Sequence, residues 1–323
     1  MHSIKDLQQE FGQALNSMSA TGEPRELYEP IRYLLSIGGK RMRPVSVMLA
    51  CELFGGNVND AIYPAMAIEV FHNFTLMHDD IMDNAPKRRG QDTVHEKWDI
   101  NTAILSGDAM LIQSYKFLEH LKPGLLTSVF PLFNQTAIEV CEGQQLDMNF
   151  ETADDVTIPA YIKMITYKTA VLLAAALKIG ALTAGADEKE GEHLYLFGKH
   201  LGIAFQIQDD ILDVFADQEK FGKQVGGDII SNKKTFLLLK AMEQSTPQQK
   251  QELYDLLHGN HTPFDKVGGV TSLYKVLNIR TLAEQEMEEH YSKAISYLDI
   301  IDVAEDKKSV LRELATFVKV REV

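Results

Sequence analysis

Cysteine is scarce in this chain of 323 residues: Cys51 and Cys141 are the only two. So few thiols exclude a cysteine-based metal framework and suit a reducing, cytoplasmic compartment. Basic charge is also in deficit. Thirty-two Lys and Arg face 46 Asp and Glu, and the net charge of −14 argues against a nucleic-acid partner or an anionic membrane surface, while leaving room for a local basic patch that binds a small anion. A long apolar run is missing too. The most apolar segment, "TAVLLAAALKIGALTAGA", is preceded by Lys168 and broken by Lys178. Its uninterrupted part is about half of the roughly 20 residues that a spanning helix requires, so it reads as a buried core helix and not a transmembrane segment. The N-terminus lacks the basic start and apolar core of a signal peptide; Ile4, Leu7, Phe11 and Leu15 instead mark one helical face.

Alternating strand patterns bounded by hairpin turns are absent as well. Helical spacing of apolar residues fills the chain, in stretches such as "PVSVMLACELFGG", "AIYPAMAIEVFHNFTLMHDDIMDNAP" and "NTAILSGDAMLIQSYKFLEHL", punctuated by Gly and Pro. The expectation is an all-α protein of about ten helices, a single domain over residues 1–323. The polar stretch "EQSTPQQKQELYDLLHGNHTPFDK" reads as an excursion between late helices.

Two pentapeptides stand out: Asp79-Asp80-Ile81-Met82-Asp83 and Asp209-Asp210-Ile211-Leu212-Asp213. On a helix the first and last Asp of each lie one turn apart on a shared face. A solvated acidic face would be the ordinary explanation of one such cluster. Here apolar residues surround both, and carboxylates beside a core are costly unless a cation or metal balances them. Hard oxygen ligands select magnesium, which commonly completes its shell with water and substrate phosphate. Basic residues follow in turn. "GGKRMRP" sets Lys40, Arg41 and Arg43 between a Gly turn and a helix expected to start near Pro44, a credible anion site. "KRRG" places Arg88 and Arg89 beyond the first cluster, and Lys223, Lys233 and Lys234 follow the second. Of the two histidines near the first cluster, His72 has a stronger functional claim than His78.

The motifs "GGKRMRP", "EVFHNFTLMHDDIMDNAPKRRG", "YKT", "FQIQDDILD" and "FGKQVGGDIISNKKT", in this order, make the chain resemble a trans-isoprenyl diphosphate synthase, a polyprenyl synthetase. They span roughly residues 38 to 235. The resemblance implies an all-helical homodimer of the isoprenoid synthase type, each subunit a bundle around a deep central cavity. Asp79, Asp80, Asp83, Asp209, Asp210 and Asp213 would hold three magnesium ions on an allylic diphosphate. Arg88, Lys168, Lys223 and Lys233 match positions that contact that diphosphate. Lys40, Arg43, His72 and Arg89 match a pocket for isopentenyl diphosphate. Thr169 and Gln206 match positions whose oxygens face the allylic cation. The implied activity is short-chain prenyl transfer: isopentenyl diphosphate is condensed with dimethylallyl, geranyl or farnesyl diphosphate to give a fifteen- or twenty-carbon product.

In the family, residues just before the first motif set product length, here Phe74 and Thr75. Phe74 would obstruct the growing tail, and the small Thr75, with no insertion between Asp80 and Asp83, leans the expectation towards geranylgeranyl diphosphate. Three rivals remain. One is an HD-type phosphohydrolase built on His78-Asp79, another a non-catalytic subunit, and the third a terpene cyclase. The first leaves the second Asp cluster unexplained, the second would be expected to have lost carboxylates or cations, and the third would not be expected to carry "DDILD".

Overall fold

The computed structural model describes residues 1–17, 22–216 and 226–320, so Lys223 lies outside the described residues. In chain order come α1 (Ile4–Ser17), α2 (Arg25–Ser36), α3 (Met42–Leu53), a 3-10 turn (Val58–Ala61) and α4 (Ile62–Met82). A hairpin of β1 (Lys87–Arg88) and β2 (Gln91–Asp92) follows, then α5 (Val94–Lys97), α6 (Ile100–Leu118), α7 (Pro123–Thr152) and α8 (Ile158–Ile165). A π-helical turn (Thr166–Ala170) joins α8 to α9 (Val171–Thr183), ahead of α10 (Glu188–Phe215). The chain closes with α11 (Gly227–Ile230), α12 (Phe236–Gln244), α13 (Pro247–His258), α14 (Pro263–Val276), α15 (Ile279–Asp299) and α16 (Glu305–Val320). The protein is all-α. Helices are more numerous than the sequence suggests, partly because α5 and α11 are only one turn long.

The described residues group into two compact units: residues 1–133, 175–194 and 302–310 in one, the remainder in the other. In the first, α4 packs against α6 and α3. It is apolar almost all round, as a buried helix must be, with Ala65, Met66, Ala67 and Ile68 fully buried. Leu7, Phe11 and Leu15 bury the expected face of α1, and Ile4 lies at its edge. In the second unit, Tyr161, Ile207, Ile211, Phe236, Leu237 and Tyr274 lead the core.

Side-chain caps start several helices. Asp99 accepts from the Thr102 amide at α6, and Thr157 from the Ala160 amide at α8. The polar stretch read as an excursion contains a helix, α13. It opens with a capping box between Thr246 and Gln249, with Pro at its first position. Residues 158–183 are long and apolar enough to cross a membrane, yet 72% of the 18-residue apolar window within them is buried inside the protein. It is the core segment that the sequence indicates.

Candidate active site

In the first unit, α4 carries His72 and ends in the aspartate pentapeptide. Asp79 and Asp83 are one turn apart, and Asp83 caps the helix C-terminus. Asp80 points inward and is 3% exposed. Both of its oxygens are taken by Arg88, whose Nε and Nη2 donate to them at 2.8 Å each. The β1–β2 turn makes this reach possible, with Arg89 at φ 52° and Gly90 at φ 78°.

Two turns before Asp79 stands His72. Arg43 Nη1 lies 3.2 Å from His72 Nε2. Burial, then the charges of Arg43, Arg89, Arg88 and Arg41, hold the His72 pKa well below the usual value. A neutral ring that accepts from Arg43 at Nε2 keeps its own proton on Nδ1. Arg43 Nε is buried with no hydrogen-bond partner among the described residues, a costly state for a cationic donor unless an anion arrives. Arg89 lies across Gly39: a Cβ built on Gly39, which has φ 140°, would fall 2.5 Å from Arg89 Nη1. Arg41 serves the scaffold. It pairs with buried Glu69 and donates to the Leu35 carbonyl, tying α2 and α3 to α4. Lys40 is exposed beside it.

Phe74 and Thr75 face different ways. Five residues turn a helix through about 500°, so Phe74 is offset from Asp79 by roughly 140°, whereas Thr75 stands one turn directly below it. Phe74 is 8% exposed and packs against Phe71 and His78. Thr75 Oγ1 donates to the His72 carbonyl. His78 points at α6, with Nε2 3.1 Å from the Ile104 carbonyl oxygen.

The second unit repeats the same division within its pentapeptide. Asp209 and Asp213 share a face, while Asp210 is 4% exposed. Asp210 Oδ2 accepts from the Tyr161 hydroxyl at 2.5 Å and from the Phe236 amide at 3.1 Å. Burial, reinforced by the charge of Asp228, raises the Asp210 pKa to about 7 and that of Asp213 to about 6. The Asp228 amide donates to Asp213 Oδ2 at 3.0 Å, and Lys233 opposes the crowding of all three carboxylates.

Lys168 and Thr169 sit on the π turn, a form often found at functional sites. Lys168 Nζ pairs with Asp147 Oδ2 at 2.6 Å. Thr169 Oγ1 donates to Gln206 Oε1 at 3.2 Å, and Gln206 Nε2 lies 3.5 Å from Asp210 Oδ1. Asp147, Tyr161 and Asp228 are absent from the sequence-derived set. Asp228 lies inside the motif "FGKQVGGDIISNKKT"; the other two belong to no motif and are joined to the site only by folding.

Among the described residues, no three His, Cys, Asp or Glu side chains converge closely enough to cage a metal unaided. The donor set still fits a hard divalent cation that shares its shell with substrate oxygens, because crowded, desolvated carboxylates with raised pKa values call for positive charge.

An all-helical protein that carries two aspartate-rich helix faces and an arginine-lined histidine belongs to the isoprenoid synthase class. Comparison with known proteins gives the family. The description of polyprenyl synthetases matches residues 24–277. Geranylgeranyl diphosphate synthase of Methanosarcina mazei is 36% identical over 99% of this chain and 97% of its own length. A crystal structure of a geranylgeranyl pyrophosphate synthase superposes with a TM-score of 0.95 at 42% identity, covering 100% of both chains. A polyprenyl synthase from Caulobacter crescentus, complexed with calcium and isoprenyl diphosphate, has a TM-score of 0.86 at 25% identity, covering 99% of this chain and 96% of that one. The chain belongs to the polyprenyl synthetase family and is a prenyltransferase.

Proposed function

We propose that this enzyme condenses isopentenyl diphosphate with dimethylallyl, geranyl or farnesyl diphosphate and delivers geranylgeranyl diphosphate, with farnesyl diphosphate as the shorter product. One observation carries the reading. α4 bears a carboxylate pair at its C-terminal end and, about 10 Å back along its axis, a neutral His72 gripped by Arg43 among further arginines. A cation-binding face and an anion pocket at that separation suit two diphosphates brought together tail to head.

In this reading Lys40, Arg43, His72 and Arg89 hold isopentenyl diphosphate. The orphaned Arg43 Nε and the His72 Nδ1 proton are donors ready for phosphate oxygens. Asp79 and Asp83 in one unit, and Asp209 and Asp213 in the other, would bind magnesium. The bound metal supplies counter-charge for the departing diphosphate. Asp80, held by Arg88, and Asp210, held by Tyr161 and the Phe236 amide, would fix the helix turns that carry the outer carboxylates. Arg88, Lys168 and Lys233, with Lys223 beyond the described residues, stabilise charge on the leaving group. The Thr169 hydroxyl spends its proton on Gln206, which leaves its oxygen lone pairs as the negative end of a dipole for the allylic cation. The allylic carbon–oxygen bond breaks with its electron pair leaving on diphosphate, the isopentenyl double bond forms the new carbon–carbon bond to the cation, and the proton then lost passes to the released diphosphate.

The phosphohydrolase reading has less support, because His78 Nε2 lies 3.1 Å from the Ile104 carbonyl oxygen on α6 and that reading gives the second aspartate cluster no role. We further propose a homodimer formed through α6, where Ile104, Leu105 and Ile112 are 42%, 60% and 62% exposed. The free thiols Cys51 and Cys141 suit a cytoplasmic enzyme. Pyrophosphate release tests the reaction class. It should require magnesium, isopentenyl diphosphate and an allylic diphosphate together; release from the allylic substrate alone at an equal rate would mean hydrolysis.

A further inference from the structure

Beneath the arginines of the first unit lies a buried carboxylate to which the condensation itself assigns no task. Glu69 is 3% exposed and stands on α4 three residues before His72, so the two share a helix face. Asn73, 2% exposed, donates through Nδ2 to the Glu69 backbone carbonyl at 2.8 Å and to Glu69 Oε1 at 2.9 Å. The side chain is thereby fixed, and the same Oε1 accepts from Arg41 Nη1. Its charge reaches further. Burial lowers the pKa of Arg43, and Glu69 opposes that shift. Burial, then Arg41 and Arg88, lower that of Arg89, and Glu69 opposes this too.

The use made of this anchor is visible in the backbone. Arg41, the N-cap of α3, has φ 49° and ψ 34°, following Gly38 at φ 85° and Gly39 at φ 140°. Glycine takes such angles freely, but a side-chain-bearing residue keeps them only where its surroundings over-determine them. Here the Arg41 guanidinium is bound at Glu69 and at the Leu35 carbonyl, and Gln8 of α1 donates to the carbonyl of Lys40. With Arg41 turned inward, Lys40 is left exposed, and two residues later Arg43 meets His72 at 3.2 Å.

We propose that Glu69 is a positioning residue for the isopentenyl diphosphate pocket: it holds Arg41 in its left-handed conformation and so sets the places of Lys40 and Arg43 on either side. The occupant of the pocket rests on the function proposed above; the anchor does not. A role through charge alone would have the opposite sign. Removing a carboxylate from among arginines leaves more positive charge to attract a diphosphate, whereas removing the anchor scatters the cations that bind it. Loss of Glu69 therefore weakens isopentenyl diphosphate binding in one case and strengthens it in the other.

Steady-state kinetics of Glu69→Gln test this, since Gln keeps the volume and an acceptor oxygen but not the charge that grips Arg41. The KM for isopentenyl diphosphate should rise by about tenfold or more, as when a charge-assisted hydrogen bond is lost, while the KM for geranyl diphosphate stays within about twofold. Arg41→Met should do the same, and the two changes together should be no worse than either alone, because the residues act as one unit. The apolar pair Glu69→Leu, Arg41→Met separates position from stability. Exchanging both members of a buried ion pair for apolar side chains often preserves the fold, so this protein should melt near the wild-type temperature and still show the raised KM. It decides alone if Glu69→Gln does not fold. The proposal is overturned by a lowered or unchanged KM for isopentenyl diphosphate in Glu69→Gln, by an equal rise for both substrates, or by a wild-type KM in the apolar pair. Any of these with condensation intact in the unmodified enzyme refutes the anchor alone. Absence of condensation in the unmodified enzyme refutes the function, and the pocket's occupant with it.

Discussion

Gly143 of α7 faces the backbone of Lys168 so closely that a Cβ on Gly143 would lie 2.2 Å from the Lys168 amide nitrogen. The obstacle is main chain, so no rotamer change relieves it. The π turn that carries Lys168 and Thr169 is thus seated on a helix with no side chain at that point. Gly143→Ala should destabilise the protein by about 1–3 kcal/mol, the usual cost of overpacking, and should lower kcat more than it raises KM. Thermal melts and steady-state kinetics check this; a wild-type melt and kcat would show that the turn tolerates displacement.

Arg88 and Asp80 form a bidentate, mostly buried pair. Arg88→Ala leaves a buried carboxylate without its cation, a loss of about 3–5 kcal/mol. Arg88→Lys should recover little, because an ammonium cannot reproduce the fork. The double variant Asp80→Asn, Arg88→Gln should regain most of the stability but not the activity. Chemical denaturation of wild type, the double variant and its two single variants, Asp80→Asn and Arg88→Gln, measures the coupling.

A pH effect follows from Asp213, raised to about 6 chiefly by burial and then by Asp228. An unfolded Asp titrates near 3.9. Between about pH 4 and pH 6 the folded protein holds a proton that the unfolded chain releases, so this residue removes stability as pH rises. Above that window the penalty is complete. In EDTA, Asp213→Asn should melt higher than wild type at pH 7.5, and the gap should close towards pH 4. Comparing the two proteins cancels His200 and His290, which burial lowers to about 4 and which act with the opposite sign. A gap that widens on acidification would contradict the assignment.

Product length separates Thr75 from Phe74. Thr75→Phe sets an aromatic ring one turn below Asp79 and should shorten the product by at least one five-carbon unit. Phe74→Ala should lengthen it, at a packing cost of about 3–5 kcal/mol, since Phe74 also fills space against Phe71 and His78. Mass spectrometry of the products distinguishes them. Wild-type products from Thr75→Phe would place the limit to chain growth elsewhere.

Much of this architecture is legible in the chain. The apolar spacing marks α1, α4 and α6, and the twin pentapeptides mark the carboxylates. The sequence does not show that Asp80 and Asp210 turn away from their neighbours. Asp210 finds Tyr161, 49 residues distant, and Asp80 finds Arg88 only because of a two-residue hairpin. The π turn is likewise hidden, since "YKT" has no unusual propensity and owes its shape to packing. Helix α13 escapes detection because only Leu253 is fully buried in it, although its capping box was there to read. For Phe74, closeness to Asp79 along the chain is legible, whereas the rotation of roughly 140° that turns it off the Asp79 face follows only from helix geometry.

The most direct measurement is incubation of the purified enzyme with magnesium, isopentenyl diphosphate and, separately, dimethylallyl, geranyl or farnesyl diphosphate, with products resolved by mass spectrometry. The expected result is elongation ending at geranylgeranyl diphosphate, with loss of product when Asp79 or Asp213 becomes Ala. Failure to elongate any of the three starters, or elongation that persists without both carboxylates, would contradict the account.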